Sequence, residues 1–178
     1  MDANFTLTQA VMEKARDYIP LAVKEAWVAD NAPKCFDKLA ITADDEAMPP
    51  MYMVNTGLKS RYLMGALVGL YLGLEFDAES ADNPALMSVE EYDEWAGNHV
   101  MNQLERMKHD TTFKFKAYDL IADYKDLEKR LSTQLTALMT VQNDSVIRQS
   151  ELMTNQMKEL PALLEQLKAL QEKNDDGK

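Results

Sequence analysis

The chain has 178 residues, a hydrophobic fraction of 46% and a single cysteine. That suits one ordinary domain, or one domain with an extended arm, and excludes a disulfide framework, a cysteine-rich zinc site and a disordered polymer. Nineteen Lys and Arg against 30 Asp and Glu give a net charge of −11, so direct binding of duplex nucleic acid is not expected.

Met1-Asp2-Ala3-Asn4 carries no basic stretch followed by an apolar core. No secretory signal is expected, and a cytoplasmic protein is. A first helix is predicted from Thr6, where Thr6 and Gln9 have capping-box spacing and Phe5 precedes them as a hydrophobic staple. Leu7, Val11, Ala15 and Tyr18 follow at helical spacing. Pro20 kinks this helix or opens a new one, and the apolar run from Leu21 to Ala29 stops at Asn31-Ala32-Pro33. Cys35, Phe36, Leu39 and Ile41 read as a packing face, followed by an acidic turn, Asp44-Asp45-Glu46. Met48, Met51 and Met53 cluster around Pro49, Pro50 and Tyr52. Methionine adapts its shape at interaction surfaces, so this loop reads either as a docking segment or as a cover over the core.

A third helix is predicted over 56–74, capped by Asn55 or Thr56. Its 13 uncharged residues from Tyr62 to Leu74 fall short of the roughly 20 that cross a bilayer, so it reads as a buried helix and no membrane partner is expected. Gly65, Gly69 and Gly73 recur every four residues and line one side. Tight packing within the chain is one reading of that groove, and a self-association face is the other. Residues 75–87, with Asn83-Pro84, read as an acidic loop. Ser88-Val89-Glu90-Glu91 is a capping box, opening a fourth helix with Val89, Tyr92, Trp95, Val100 and Leu104 on its apolar face and its end near Lys108.

From Thr111 or Thr112 to about Lys173 the chain reads as helix. Leu120, Tyr124, Leu127, Leu131 and Leu138 follow a heptad with Gln134 at an inner position. Met153, Leu160, Leu163, Leu167 and Leu170 follow a second register, offset by one residue. Between them, Gln142-Asn143-Asp144-Ser145 is either a turn, which makes a hairpin, or a phase slip in one long helix. Pro161 interrupts the second half or begins a new helix. The fold class is therefore all-α: a compact multi-helix core over 1–108, then a helical hairpin or coiled-coil arm over 109–178.

Charge is unevenly divided. Residues 1–61 sum to −2, residues 62–105 to −9 with no Lys or Arg at all, and residues 106–178 to zero. Chemistry is thinly supported. Glu105 and His109 share a helix face, but a metal site needs further ligands, and His99 reads as a half-buried histidine. Asp77, Glu79, Asp82 and Asn83 offer oxygen ligands, yet Asp82 and Ser88 stand where an EF-hand needs Gly and Glu. Cys35 beside Lys34 fits a buried packing residue better than a nucleophile. No phosphate-cradling loop, nucleophile elbow or dinucleotide fingerprint is present. No catalytic residue, metal or cofactor is assigned. Lys108, Lys114 and Lys116 interleave with Phe113 and Phe115, with Lys125, Lys129 and Arg130 beyond, a pattern that can track a single strand. Asp110, Asp119, Asp123, Asp126 and Glu128 are expected to neutralise much of it.

The function expected is that of a non-enzymatic helical interaction or oligomerisation protein, such as a bacterial or phage accessory factor. It would bind a protein partner or itself as a homodimer through the C-terminal seam. The alternative is an acidic nucleic-acid mimic, with Asp77, Glu79, Asp82, Glu90, Glu91, Asp93 and Glu94 occupying a basic cleft on a nucleic-acid enzyme. An enzyme with a carboxylate site is the third reading.

Overall fold

A computed structural model describes residues 6–39 and 50–175, with side chains as far as residue 165. Phe5, Ile41, Asp44, Asp45, Glu46, Met48 and Pro49 lie outside the described residues, as do the side chains of Leu167 and Leu170. The chain divides into two units, one of residues 1–37 and 54–138, the other of residues 38–53 and 139–178.

The first unit opens with a short helix, α1 (Gln9–Lys14). Its cap is Thr8, whose hydroxyl accepts the Val11 N–H at 3.4 Å, not Thr6 as the capping-box spacing predicts. Thr6 and Leu7 instead lie before the helix, because the Gln103 side chain accepts the Leu7 N–H at 2.6 Å. Pro20 caps a new helix, α2 (Leu21–Asn31), and a 3₁₀ turn (Ala32–Lys34) follows.

Helix α3 (Thr56–Gly65) is capped by Asn55, which accepts the Leu58 N–H at 2.9 Å. It does not run on as α-helix to Leu74. Residues Ala66–Tyr71 widen into a π-helix, and Gly73, at φ +67°, ends the run in the left-handed region. Leu74 N–H closes the end on Val68 C=O at 3.0 Å. The buried character expected of Tyr62 to Leu74 is present: Tyr62, Leu67, Val68, Tyr71 and Leu72 are all buried.

The all-α expectation is wrong. The chain is mixed α/β, with two small antiparallel sheets. Strands β1 (Phe36–Leu39) and β2 (Met51–Val54) pair in one sheet. Strands β3 (Ala78–Ser80) and β4 (Asn83–Met87) form the other, in the stretch expected to be an acidic loop. Ala78 pairs with Met87 and Ser80 with Asn83, with an irregularity between the pairs. Strands of three to five residues are too short to display an alternating pattern. Pro84 is tolerated in β4 because each strand of a two-stranded ribbon is an edge.

Ser88 caps α4 (Val89–Gly97) through the Glu91 N–H at 3.2 Å. The single helix predicted as far as Lys108 is broken at His99, which adopts φ +52° before α5 (Val100–Met107) begins. Helix α6 then runs from Lys114 to Asp175 without a turn, Pro161 lying within it. Of the two arrangements the sequence allowed, the single helix is the one formed. Leu67, Leu72, Met87, Trp95, Leu104, Leu120, Leu127 and Leu131 fill the core of the first unit.

Candidate functional site

Long helices need a reason to be long, and α6 has two different reasons along its length. Over 120–138 its apolar face is spent inside the first unit. Leu120, Tyr124, Leu127 and Leu131 are buried, and Leu138 packs at the margin of the same cluster. Leu135 is buried too, whereas Gln134 is exposed. The inner position assigned to Gln134 by a strict heptad therefore belongs to Leu135. Buried and half-buried positions step 127, 131, 135, 138, 142, 146, 150, 153, so steps of four outnumber steps of three. A heptad alternates the two, and the surplus of fours produces the one-residue offset between the two registers.

Over 139–165 the second unit covers α6 only in part. Asn143 accepts the Tyr52 N–H at 3.3 Å and returns its amide toward Tyr52 C=O at 3.5 Å. One side-chain amide thus does for β2 what a neighbouring strand would. Met51 and Met53, flanking Tyr52, remain exposed. Beyond this contact Met153 is half-buried, and Leu152, Met157, Leu160, Leu163 and Leu164 are each more than half exposed. The seam residues named from sequence thus fall into two sets. Leu120 to Leu138 serve the fold, Met153 is half-buried, and Leu160 and Leu163 belong to the solvent-facing stretch.

The densest polar cluster lies where α2 meets the first half of α6. Lys24, buried, donates to Asp123 at 2.7 Å and to Asp126 at 2.8 Å. Asp123 also accepts the Ile19 N–H at 3.0 Å and the Tyr71 hydroxyl at 2.9 Å. Asp126 accepts Arg130 Nε at 2.8 Å. Burial opposes the Lys24 ammonium, but its hydrogen bonds and charge contacts with Asp123 and Asp126 outweigh this and raise its pKa. Arg130 and Lys24 together hold Asp126 below the usual aspartate value. Burial and the Asp123 contact push the Tyr71 phenol up. Each charge here is answered by another, which is how a buried ionic cluster is tolerated. It ties α2, the π-helix and α6 together. Two open grooves, of about 510 and 630 Å³, lie beside it. Sequence reading missed this cluster. Nothing in linear spacing joins Lys24 to Asp123, and Glu25 beside Lys24 offers a nearer partner in the sequence.

The acidic residues of the middle segment do not form one uniform surface. Glu79 pairs with Arg61. Glu91 is buried and accepts the Trp95 indole N–H at 2.8 Å. Glu94 carries a buried, unpartnered oxygen. Asp77, Asp82, Glu90 and Asp93 are exposed. The glycine groove is filled from within the chain: a β-carbon on Gly65 would lie 2.8 Å from the Ala85 carbonyl, and one on Gly69 would lie 3.2 Å from the Phe76 ring. Cys35 is buried and free, its thiol pushed up to about 11 by burial. Among the described residues no three His, Cys, Asp or Glu side chains gather as metal ligands, and no helix is long and apolar enough to cross a membrane.

Comparison with known proteins gives no match to a family model, a curated protein or a solved structure.

Proposed function

We propose that this chain is a non-enzymatic interaction protein that associates with a second copy of itself through the C-terminal half of α6. The observation that carries this reading is the exposed apolar stretch of Leu152, Met157, Leu160, Leu163 and Leu164. A lone helix gains little from packing on itself, so an apolar face of this kind is stable only when another surface covers it. With Met153 and Leu160 at one inner position and Leu163 at the other, Leu152, Met157 and Leu164 fall at the flanking positions. Those places usually hold charges that select a foreign partner or a register. An apolar flank widens the face and leaves hydrophobic burial as the main drive. Residues 106–178 carry no net charge, so two copies can meet there without the repulsion their acidic middle segments would create. The lone, buried Cys35 fits a reducing compartment, and the proposal takes the cytoplasm as its setting.

Sedimentation equilibrium tests the reading. The full chain is expected to sediment at twice its 20.2 kDa, and Leu160→Glu with Leu163→Glu to return it to one chain. Both leucines lie outside the buried cluster of the first unit, so its fold is retained. A wild-type chain that already sediments as a monomer overturns the proposal, as does a double variant of unchanged mass.

A further inference from the structure

The outer face of the first half of α6 is basic and aromatic in a chain that is otherwise acidic. Tyr118, Ala122, Lys125 and Lys129 stand at i, i+4, i+7 and i+11 and so share one helix face. Lys114 and Phe115 stand at its N-terminal end. Phe115 is 80% exposed and Tyr118 46% exposed, and Lys108 Nζ sits 5.0 Å from the Tyr118 ring centre.

The sequence sets five acids against this strip, and the structure removes three of them. Asp110 is turned back on the backbone, accepting the Thr112 and Phe113 N–H groups at 2.7 and 3.0 Å. Asp123 and Asp126 are committed to Lys24, Ile19, Tyr71 and Arg130. The remaining two, Asp119 and Glu128, lie about a quarter turn to either side of the strip's midline on a helix of 3.6 residues per turn. Glu105 pairs with Lys108 and also feels the charge of Lys125. Among the described residues no ion pair engages Lys114, Lys125 or Lys129.

We propose that this face, Lys114, Phe115, Tyr118, Lys125 and Lys129, binds single-stranded nucleic acid. Charge complementarity calls for a polyanion, and the open ring of Phe115 decides which kind. An unpaired base has a flat face to stack on an aromatic ring, while lysines follow the phosphates without reading sequence. A duplex hides those base faces and presents two charged backbones to a protein of net charge −11. An acidic polypeptide would use the lysines and leave that ring idle. Acids more than about 10 Å away are largely screened at ordinary salt, so the local sign governs.

The test is fluorescence anisotropy of a labelled oligothymidylate titrated with the full-length chain. Saturable binding is expected, with log affinity falling against log salt at a slope of about −2, as three phosphates at about −0.7 each require. Lys125→Glu with Lys129→Glu, and separately Phe115→Ala, are each expected to weaken it at least tenfold with an unchanged circular dichroism spectrum. The Leu160→Glu, Leu163→Glu chain separates this site from self-association and is expected to bind as a monomer. Absence of binding at low salt overturns the proposal, as does an affinity indifferent to both the lysine and the phenylalanine variants. Polyglutamate bound as tightly, with Phe115→Ala without effect on either ligand, overturns it in favour of an acidic polypeptide.

Discussion

A single buried lysine organises much of the first unit. Lys24 is held between Asp123 and Asp126, and Asp123 in turn fixes the backbone at Ile19 and the Tyr71 hydroxyl. Removing Asp123 leaves the buried Lys24 with Asp126 alone and strips the Ile19 N–H and the Tyr71 hydroxyl of their acceptor. Asp123→Ala is therefore expected to destabilise the chain by about 3–5 kcal/mol, measured by urea unfolding. The pH dependence has two limbs of opposite sign. Lys24 is raised above its usual 10.5, so its contribution is full below that value and lost as pH rises through the higher folded pKa. Asp126 is lowered below its usual 3.8, so its contribution is full above that value and lost as pH falls through the lower folded pKa. Unfolding midpoints measured across alkaline and strongly acid pH check both, and a stability that rose toward the alkaline end would contradict the Lys24 assignment. Gly65 shows a different constraint. Its missing β-carbon leaves room for the Ala85 carbonyl, which is backbone and cannot swing aside. Gly65→Ala is expected to lower stability by about 1–3 kcal/mol in thermal melts.

Among the elements, α6 shows how one helix serves both a core and a surface. A strict heptad puts Gln134 inside, but an α-helix has 3.6 residues per turn, and a face held against a globular core follows that period. Leu135 takes the buried place as a result. Leu135→Ala is expected to cost about 2–5 kcal/mol, as for a core leucine, and Gln134→Ala to fall within about 0.5 kcal/mol of zero, as for a surface change. Paired denaturation curves decide between the two phases. The break between α4 and α5 rests on His99 at φ +52°. A β-branched residue is poorly suited to that region, so His99→Val is expected to lose about 1 kcal/mol or more, by the same measurement.

For the molecule as a whole, the buried cluster lies entirely within residues 6–37 and 54–138. Its last buried member is Leu135, with Leu138 packed at the margin. A chain ending at Leu138 is therefore expected to keep a cooperative melt and its near-ultraviolet circular dichroism, and to sediment as a monomer. Loss of the cooperative transition would mean that residues 139–178 supply core packing after all. The charge of −11 also takes on a different meaning at this scale. Part of the acidity is structural, in Glu79 against Arg61, Glu91 accepting the Trp95 indole N–H, and Asp123 and Asp126 around Lys24. Removing those last two aspartates from the surface balance is what lets a basic face exist on an acidic chain.

Sequence alone determined the features that depend on near neighbours. Ser88 was legible as a cap, and Asn55 as one of two neighbouring candidates with Thr56, because a cap is a contact between a side chain and a backbone N–H three residues on. The buried run from Tyr62 to Leu74 and the apolar periodicity of α6 were legible because amphipathic spacing is written locally. The hairpins were not: two strands of three to five residues gain their pairing from each other, and no strand of that length carries a period of its own. Nor was the Lys24 cluster, whose partners stand about a hundred residues away. The same spacing of leucines could serve an intramolecular core or an exposed face, and only tertiary packing assigned Leu120 to Leu138 to the first and Leu152 to Leu164 to the second. Burial is a property of what lies opposite a side chain, and a one-dimensional pattern does not contain that opposite surface.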